Sequence, residues 1–385
     1  MSEIKHHIHK DEVDLINKKK YMIQKLSLLL ILISVAVITI VLILGLRNSD
    51  ERRAREIAEK KAAIEEEKQR KDSFENSKDE KESEEETKKM KGSQDVVMFG
   101  VDSRTGELGA GTRSDSIMIA HIDHDQKVIK IASIYRDTMV SIEGHGYEKI
   151  THAHSYGGPE LALQTVNTNF DLNAENYVTL NFNSVGNLID EIGTVEMDIT
   201  EEEVQYINSY IDEVNGTRGT NSSHITEPGV YQLDGTQAVA YSRIRYTEGG
   251  DYKRAERQRT ILLKTFEQVK KLSYDEKLDA INLMMGNINT DFSTTEIMEL
   301  LEAFSKYEMN ETTAYPQVFY GGDVEGAWVE VPCTLVDMNS GLHEFLYGEQ
   351  NYVPSAAVNS ISETLSSKVS GPNNDLRENE GESEG

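Results

Sequence analysis

The chain has 385 residues, of which 38% are hydrophobic, and its formal net charge is -27 at pH 7. A chain of this length can bury an enzyme-sized core, but its acidic balance argues against general binding of nucleic acid or anionic lipid across the surface. A polyanionic ligand would therefore need a local cluster of arginines. The single cysteine, Cys333, excludes an intramolecular disulfide, so an exported domain would depend on its core.

The N-terminal part divides into three segments of different composition. Residues 1–25 form a short tail with a lysine excess, and residues 26–46 carry no charge and are dense in Leu, Ile and Val. About 20 such residues span a bilayer, and a cleaved signal peptide has a shorter apolar run, so the pattern predicts one transmembrane helix. The preceding lysines favour a cytoplasmic N-terminus, with the larger remainder outside. Residues 47–94 are rich in Glu and Lys, which is typical of a charged stalk.

The composition of residues 95–358 is that of a folded domain. Three short β-branched runs come first, and helical periodicities then alternate with extended segments, which predicts an α/β fold with a sheet covered by helices. The predicted segments are helices at 159–170, 185–192, 253–272, 275–288 and 294–306, with a strand at 177–182. Residues 359–385 are mainly Ser, Asn, Gly and Glu, and we predict a disordered acidic tail there.

Charged loops adjoin the first three predicted strands. Asp102 follows the first strand, and Asp115 directly precedes the second. If these strands are neighbours, both carboxylates lie at one end of the sheet, where oxygen ligands suit Mg²⁺. The capping of turns is the commoner use of aspartate and remains the alternative. Arg136 and Asp137 follow the third strand, and an ordinary salt bridge explains that pair equally well.

The densest charged segment surrounds a double glycine. Arg243 and Arg245 would share one face of an extended segment, because side chains alternate there. On the helix that follows, Asp251, Arg254 and Gln258 share a face through i+3 and i+4 spacing. The guanidinium fork matches phosphate oxygens, so arginines concentrated in an acidic chain indicate an anion site, although a charge run is more often a solvated face.

Taken in order, these fragments resemble the LytR-CpsA-Psr family over roughly residues 95–272. The fragments are Asp102-Ser103-Arg104, Arg113-Ser114-Asp115, Arg136-Asp137-Thr138, Lys149 to Ala153, Leu233-Asp234-Gly235 and Arg243 to Gln258. The resemblance implies an α-β-α domain, in which helices cover both faces of a central mixed β-sheet. One departure is Tyr135, where the family usually has proline before the Arg-Asp pair.

The resemblance also implies a function and a set of site residues. The family transfers a glycopolymer, such as teichoic acid or capsular polysaccharide, from an undecaprenyl-pyrophosphate carrier to peptidoglycan, outside the membrane of a Gram-positive-type envelope. Mg²⁺ would bridge the pyrophosphate and two metal ligands, Asp102 and Asp115. The catalytic candidates are assigned by their location: Arg136 is placed to stabilise the developing charge, and either Asp137 or Asp251 is the base for the acceptor hydroxyl. Substrate contacts fall on Arg104, Arg113, Arg243, Arg245, Arg254, Arg257 and Gln258.

Other functions remain open. The same site would act as a lipid pyrophosphate hydrolase if water replaced the glycan, and a non-catalytic envelope regulator or wall-binding module would need no metal. Direct DNA binding is disfavoured, because the chain is acidic and the predicted cytoplasmic tail is too short for a DNA-binding domain, so we expect no nucleic-acid partner. A polyprenyl tail would need an apolar groove, but the apolar residues available for one serve an ordinary core equally well.

Overall fold

The computed structural model describes residues 92–103 and 106–377. The predicted cytoplasmic tail, the predicted transmembrane helix and nearly all of the predicted stalk lie outside the described residues, as do Arg104 and the end of the acidic tail. Within the described ranges, no helix combines the length and the apolar character needed to cross a bilayer.

The described part of the chain alternates strands with helices. The strands, in chain order, are β1 (Ser93–Val101), β2 (Ser114–Asp123), β3 (Val128–Ile134), β4 (Met139–Ile142), β5 (Gly146–Lys149), β6 (Asn176–Asn181), β7 (Val195–Ile199), β8 (Gly229–Leu233), β9 (Ile288–Thr290), β10 (Glu308–Tyr315), β11 (Val318–Val324), β12 (Ala327–Val331) and β13 (Asn374–Asp375). The helices are α1 (Thr151–Phe170), α2 (Phe182–Ile192), α3 (Glu201–Arg218), α4 (Gly235–Ser242), α5 (Gly250–Lys271), α6 (Tyr274–Met285), α7 (Thr294–Phe304), α8 (Leu335–Tyr347) and α9 (Ala356–Ser367).

The central sheet has the strand order β10-β3-β2-β1-β6-β9. It is mixed, because β1 pairs antiparallel with β2 and parallel with β6. The antiparallel pairing places Val101, at the end of β1, opposite Ser114, at the start of β2. Asp102, directly after β1, and Asp115, the second residue of β2, therefore lie at the same end of the sheet.

Helices cover both faces of this sheet, which confirms the predicted α/β architecture. Helices α1, α8 and α9 pack on one face and share a core with alternate residues of β1, β2 and β3. Helices α5 and α7 pack on the other face, and α6 borders the apolar space beneath them. Alternation of side chains along each strand supplies an apolar surface to both layers.

A smaller layer of α2, α3, α4 and the two-stranded antiparallel sheet of β7 and β8 packs around its own apolar core. Two of its helices begin with reciprocal caps: Thr200 with Glu203 at α3, and Asp234 with Gln237 at α4. Each cap satisfies backbone N–H groups that the first helical turn leaves unpaired. These caps fix the starts of two helices that position site residues: Tyr210 and Glu213 lie on α3, and Arg243 directly follows α4.

Three segments differ from their predictions. The helix predicted to begin at Pro159 starts at Thr151 and is broken at Gly157 and Gly158, the latter with φ of 70°. Pro159 therefore opens the second half of α1, where its missing N–H costs nothing. The segment around Arg243, predicted to be extended, is the turn that ends α4.

The predicted disordered tail begins too early. Residues 356–367 form helix α9, in which Val358, Ile361 and Leu365 are buried against the main core. Their spacing of three and four residues makes a narrow apolar stripe that the surrounding serines obscure in the sequence. The folded part continues to β13, so the start of the tail at residue 359 is wrong.

Candidate active site

A cavity of about 460 Å³ opens at the end of the sheet where β1 ends and β2 begins. Six of the predicted site residues line it together, although they come from three separate parts of the chain: Asp102, Asp115, Arg243, Arg245, Arg254 and Gln258. We call it the cationic cavity after its three arginines, which line it together with the carboxylates of Asp102, Asp115 and Glu213. The convergence turns distant sequence motifs into one site.

Aromatic rings hold two of these arginines in place. The Arg243 guanidinium lies 5.3 Å from the ring centre of Phe182 and 5.7 Å from that of Tyr210, and it forms an ion pair of 3.0 Å with Glu213. Arg245 lies 5.4 Å from the ring centre of Tyr246. Cation–π contacts orient a guanidinium while leaving its N–H edge available to a phosphate.

Arg254 and Arg257 lie on the same helix, α5, but have different surroundings. Arg254 lines the cavity, where its Nη2 donates to Asp251 at 2.8 Å and to the backbone oxygen of Asp115 at 3.3 Å. Burial lowers the pKa of the Arg254 guanidinium, and the nearby Asp251 opposes that change. The group stays cationic near neutral pH, because an arginine pKa begins above 12.

The substrate contact predicted for Arg257 is not what the structure shows. Its guanidinium is buried and donates to Glu203 at 2.8 Å, to the backbone oxygen of Ile244 at 3.1 Å and to Thr247 at 2.8 Å. All three guanidinium nitrogens are therefore used inside the protein. Arg257 ties α5 to the start of α3 and to the turn that carries Arg245, so it supports the cavity wall from behind.

An ion cluster stands behind the cavity wall. Arg136 pairs with Asp115 at 3.0 Å, Asp251 at 3.4 Å and Asp137 at 3.7 Å. Burial alone would lower the pKa of Arg136, but the carboxylates, Asp115 foremost, raise it above its ordinary value. Lys149, the last residue of β5, pairs with Asp137 at 2.7 Å. In the described part of the chain, Arg136, Asp137 and Asp251 do not themselves line the cavity, and they connect to it through Asp115 and Arg254.

Two arginines that were predicted to bind phosphate, Arg104 and Arg113, are not among the described residues that line this cavity. Arg113 is exposed just before β2 and lies outside the cavity lining. Arg104 lies outside the described residues.

Asp102 and Asp115 provide a donor set that fits Mg²⁺. Asp102 is exposed and Asp115 is half-buried, so both carboxylates are accessible from the cavity. Mg²⁺ usually takes one or two protein carboxylates and completes its shell with water and substrate phosphates. No group of three or more His, Cys, Asp or Glu residues in the described ranges is arranged to hold a metal, so a cation here would depend on the ligand's own oxygens.

Two apolar cavities continue inward from the cationic one. The first, of about 140 Å³, shares Phe182 and Gln258 with it. The second, of about 290 Å³, lies between the sheet and helices α5, α6 and α7. Five residues line both apolar cavities: Met98, Leu188, Leu262, Thr265 and Met284. The smaller apolar cavity therefore lies between the cationic cavity and the larger apolar one. The arrangement suits a ligand with a charged head and a long apolar tail.

Sequence reasoning missed one buried acid near the site. Glu330 of β12 is 2% exposed, and burial raises the pKa of its carboxyl to about 8, although a hydrogen bond from Tyr252 opposes the rise. Its backbone N–H donates to the carbonyl of Asp137 at 3.0 Å. The available signal was a glutamate between the apolar residues Val329 and Val331, on a strand whose alternate residues face the core.

Residues 55–332 match the family model described as "LytR_cpsA_psr family". The match spans more than half of the chain, so the chain belongs to this family, as its motifs predicted.

The relatives include named enzymes. The chain is 30% identical over 232 residues to the polyisoprenyl-teichoic acid–peptidoglycan teichoic acid transferase TagT of Bacillus subtilis, which covers 58% of this chain and 68% of the relative. It is 28% identical over 242 residues to the transferase TagU of Oceanobacillus iheyensis, covering 61% and 69%. A solved structure, "TagT bound to LI-WTA", matches with a TM-score of 0.53 at 25% identity, over 66% of this chain and 91% of that one. The transferase names agree with the predicted enzyme class.

Proposed function

We propose that this protein is a membrane-anchored phosphotransferase. It moves a glycopolymer of the teichoic acid or capsular type from a polyprenyl-pyrophosphate carrier to peptidoglycan at the outer face of the membrane. The observation that carries the proposal is the cationic cavity and its continuation into two apolar cavities, which together complement a pyrophosphate joined to a long hydrocarbon tail. The transferase names of the relatives support the same reaction.

The donor would be held by its charge and by its tail. Arg243, Arg245 and Arg254 bind the pyrophosphate, because a guanidinium forms paired hydrogen bonds with phosphate oxygens and keeps its charge. The polyprenyl chain enters the apolar cavities past Phe182 and Gln258. Burial of hydrocarbon contributes about 25 cal/mol per Å², so the tail adds affinity without adding polar contacts.

Asp102 and Asp115 would hold Mg²⁺. The bound ion would supply neutralisation of charge on the phosphate oxygens. The role of Arg136 in this arrangement is to orient Asp115, because it pairs with Oδ1 of that carboxylate. Phosphoryl transfer depends mainly on such positioning and charge stabilisation.

The proton of the acceptor hydroxyl needs a base, and we assign that role to Asp251. Its side chain is 30% exposed and pairs with Arg254, which lines the cavity, at 2.8 Å, whereas Asp137 is 17% exposed and pairs with Lys149, so Asp251 is the more accessible of the two carboxylates. The acceptor oxygen forms a bond to the phosphorus that carries the glycopolymer, and the bond from that phosphorus to the bridging oxygen breaks. Polyprenyl phosphate leaves, and the proton passes to the Asp251 carboxylate.

The predicted transmembrane helix at residues 26–46 would anchor the enzyme in the bilayer, with the N-terminus in the cytoplasm. A polyprenyl-linked donor is confined to the same membrane. Anchoring therefore restricts the search for substrate to one surface. The partners of the reaction are the lipid-linked glycopolymer, peptidoglycan and the bilayer itself, with no nucleic acid.

The test uses the full-length protein in membrane vesicles with a labelled lipid-linked polymer and peptidoglycan. We expect an Arg245→Gln, Arg254→Gln variant to lose transfer by at least about 100-fold, since two charge-assisted contacts of about 1.5–3 kcal/mol each disappear. Arg377→Gln, an exposed arginine outside the cavity lining, serves as the matched control and retains activity. Unchanged transfer in the double variant would contradict the proposal.

The acceptor and the metal each need their own experiment. A transferase releases little free polymer without peptidoglycan, whereas a pyrophosphate hydrolase releases the same amount with or without it. Removal of Mg²⁺ by a chelator is expected to stop transfer, and added Mg²⁺ to restore it in the wild type but not in an Asp102→Asn, Asp115→Asn variant. Full activity in the chelator would refute the metal assignment.

A further inference from the structure

An exposed pair of stacked rings lies outside the cationic cavity. His145, in the turn between β4 and β5, stacks on Tyr156 of α1 with ring centres 4.0 Å apart and planes inclined by only 6°. Tyr156 is 42% exposed and His145 is also exposed. His152 lies one helical turn earlier, with its ring 5.9 Å from that of Tyr156. We call these three rings the aromatic platform.

Hydrogen-bonding groups border the platform. Glu148 pairs with His152 at 3.0 Å, and its side chain is 40% exposed. Gln164, in the second half of α1, donates to the exposed carboxylate of Glu143, which lies two residues before His145 in the β4–β5 turn. Flat ring faces next to carboxylates and an amide match a pyranose ring, which presents C–H groups on its faces and hydroxyls at its edge.

The β4–β5 hairpin and the start of α1 connect the platform to the ion cluster of Arg136, Asp137 and Asp251. Lys149 follows Glu148 in the chain and pairs with Asp137. The backbone N–H of Thr151, at the start of α1, donates to the carbonyl of Arg136 at 3.2 Å. The turn that carries His145 lies at the opposite end of the β4–β5 hairpin from Lys149, about 10 Å along the strands, so a glycan strand of several sugars bound on the platform can extend to the ion cluster.

Charge separates this platform from the cationic cavity. Arg243, Arg245 and Arg254 line the cavity together with three carboxylates, whereas the platform borders the carboxylates Glu143 and Glu148 and contains no arginine. A polymer rich in phosphate is repelled by carboxylates, and an uncharged sugar is not. The two surfaces thus favour different substrates of one reaction.

We propose that the aromatic platform binds the acceptor, an N-acetylated glycan strand of the cell wall. Because the inner faces of Tyr156 and His145 cover each other, one sugar ring stacks on an outer face of the pair, and Glu148 and Gln164 accept and donate hydrogen bonds at its edge. The strand is then oriented so that a neighbouring sugar presents its hydroxyl to Asp251. This inference rests on the proposed function for the identity of the acceptor.

The test measures direct binding of soluble, uncross-linked peptidoglycan glycan strands to the full-length protein in detergent, without donor. We expect Tyr156→Ala to weaken binding by about ten-fold, which corresponds to about 1.4 kcal/mol. Tyr156→Phe keeps the ring and is expected to bind like the wild type. Tyr274→Ala replaces a tyrosine of similar exposure, 38%, outside the platform and serves as the matched control.

Kinetics provide a second measurement. In the transfer reaction, Tyr156→Ala is expected to raise KM for peptidoglycan about ten-fold, with KM for the lipid-linked donor unchanged. Wild-type affinity for glycan strands in Tyr156→Ala would overturn the platform, even if transfer itself is observed. Ring-dependent glycan binding by a wild-type protein that performs no transfer would support the platform and refute the proposed function instead.

Discussion

The two faces of the central sheet receive apolar side chains from the same strands, yet only one of them is filled. On the face under α1, α8 and α9, Val97 and Ile119 are completely buried. On the face under α5, α6 and α7, Val96, Met98 and Ile129 border the larger apolar cavity. The same alternation of apolar side chains along the strands thus gives a filled core on one face and a cavity on the other. That cavity adjoins the smaller apolar cavity, which shares residues with the cationic cavity.

The covering side chains explain the difference. The closed face receives Phe170, Leu342 and Leu365, all fully buried, from three helices. The open face is bordered by Met284 and Met285 of α6. Methionine is unbranched and adapts its shape, so it tolerates an irregular space that a ligand can enter.

The largest expected effect compares adjacent residues of β2 that point to opposite faces. Ile119→Ala removes a fully buried side chain from the closed face and is expected to lower the free energy of unfolding by about 2–5 kcal/mol. Met118→Ala, beside the smaller apolar cavity, is expected to cost less than half as much, because fewer contacts are lost. Urea unfolding followed by the fluorescence of Trp328, the single tryptophan, measures both. Equal losses would mean that the faces are packed alike.

The next largest effect concerns Glu330, which contacts elements from both faces of the central sheet. It lies on β12, whose valines belong to the core of the closed face, and it accepts a hydrogen bond from Tyr252 of α5. Burial raises the pKa of Glu330 from 4.5 to about 8, so the folded protein keeps a proton that the unfolded chain releases. Stability from this group is complete below pH 4.5 and is lost as the pH rises to about 8.

Between pH 5 and pH 7, the free energy of unfolding of the wild type is expected to fall by about 3 kcal/mol relative to Glu330→Gln. The glutamine keeps the shape of the neutral acid and does not titrate, so the difference between the two proteins isolates this group. Parallel pH profiles would show that Glu330 titrates normally.

Local patterns explain which parts of this arrangement could be predicted. Helical spacing was enough to place Arg254 and Gln258 on the cavity side of α5, and strand order was enough to bring Asp102 to Asp115. Arg257 was misjudged because its partner, Glu203, is 54 residues away, and helical spacing carries no information about it.

The apolar cavities were beyond prediction for a different reason. Alternation along β1 makes Val96 and Val97 equally apolar, and only the helices that arrive later in the chain decide which of them faces a cavity. The aromatic platform likewise depends on a hairpin turn that brings His145 to α1. Such contacts are set by tertiary packing and not by periodicity.

The third expected effect comes from a substitution that fills the cavity on the open face. Thr265 lines both apolar cavities, so Thr265→Phe places a ring where they join. We expect affinity for a polyprenyl pyrophosphate to fall at least about ten-fold, or about 1.4 kcal/mol, while inorganic pyrophosphate binds unchanged. Calorimetric titration of the full-length protein in detergent measures both ligands. Unchanged affinity for the lipid would place its tail elsewhere.

The smallest effect uses two threonines as a matched pair. Thr165 of α1, on the closed face, donates its hydroxyl hydrogen to the backbone oxygen of Leu161 at 2.7 Å. Thr265 on α5 is also buried, but its hydroxyl has no hydrogen-bond partner among the residues that the structure describes. A buried hydroxyl without a partner costs about 1–3 kcal/mol, whereas a satisfied one contributes about 0.5–1.5 kcal/mol.

The same change, threonine to valine, is therefore expected to have opposite signs on the two faces. Thr165→Val should lower the free energy of unfolding by about 1 kcal/mol, and Thr265→Val should raise it by about the same amount. Urea unfolding of the two variants beside the wild type is the measurement. If Thr265→Val also destabilises the protein, its hydroxyl is hydrogen-bonded, which would mean that the open face holds ordered water and is not a dry channel ready for hydrocarbon.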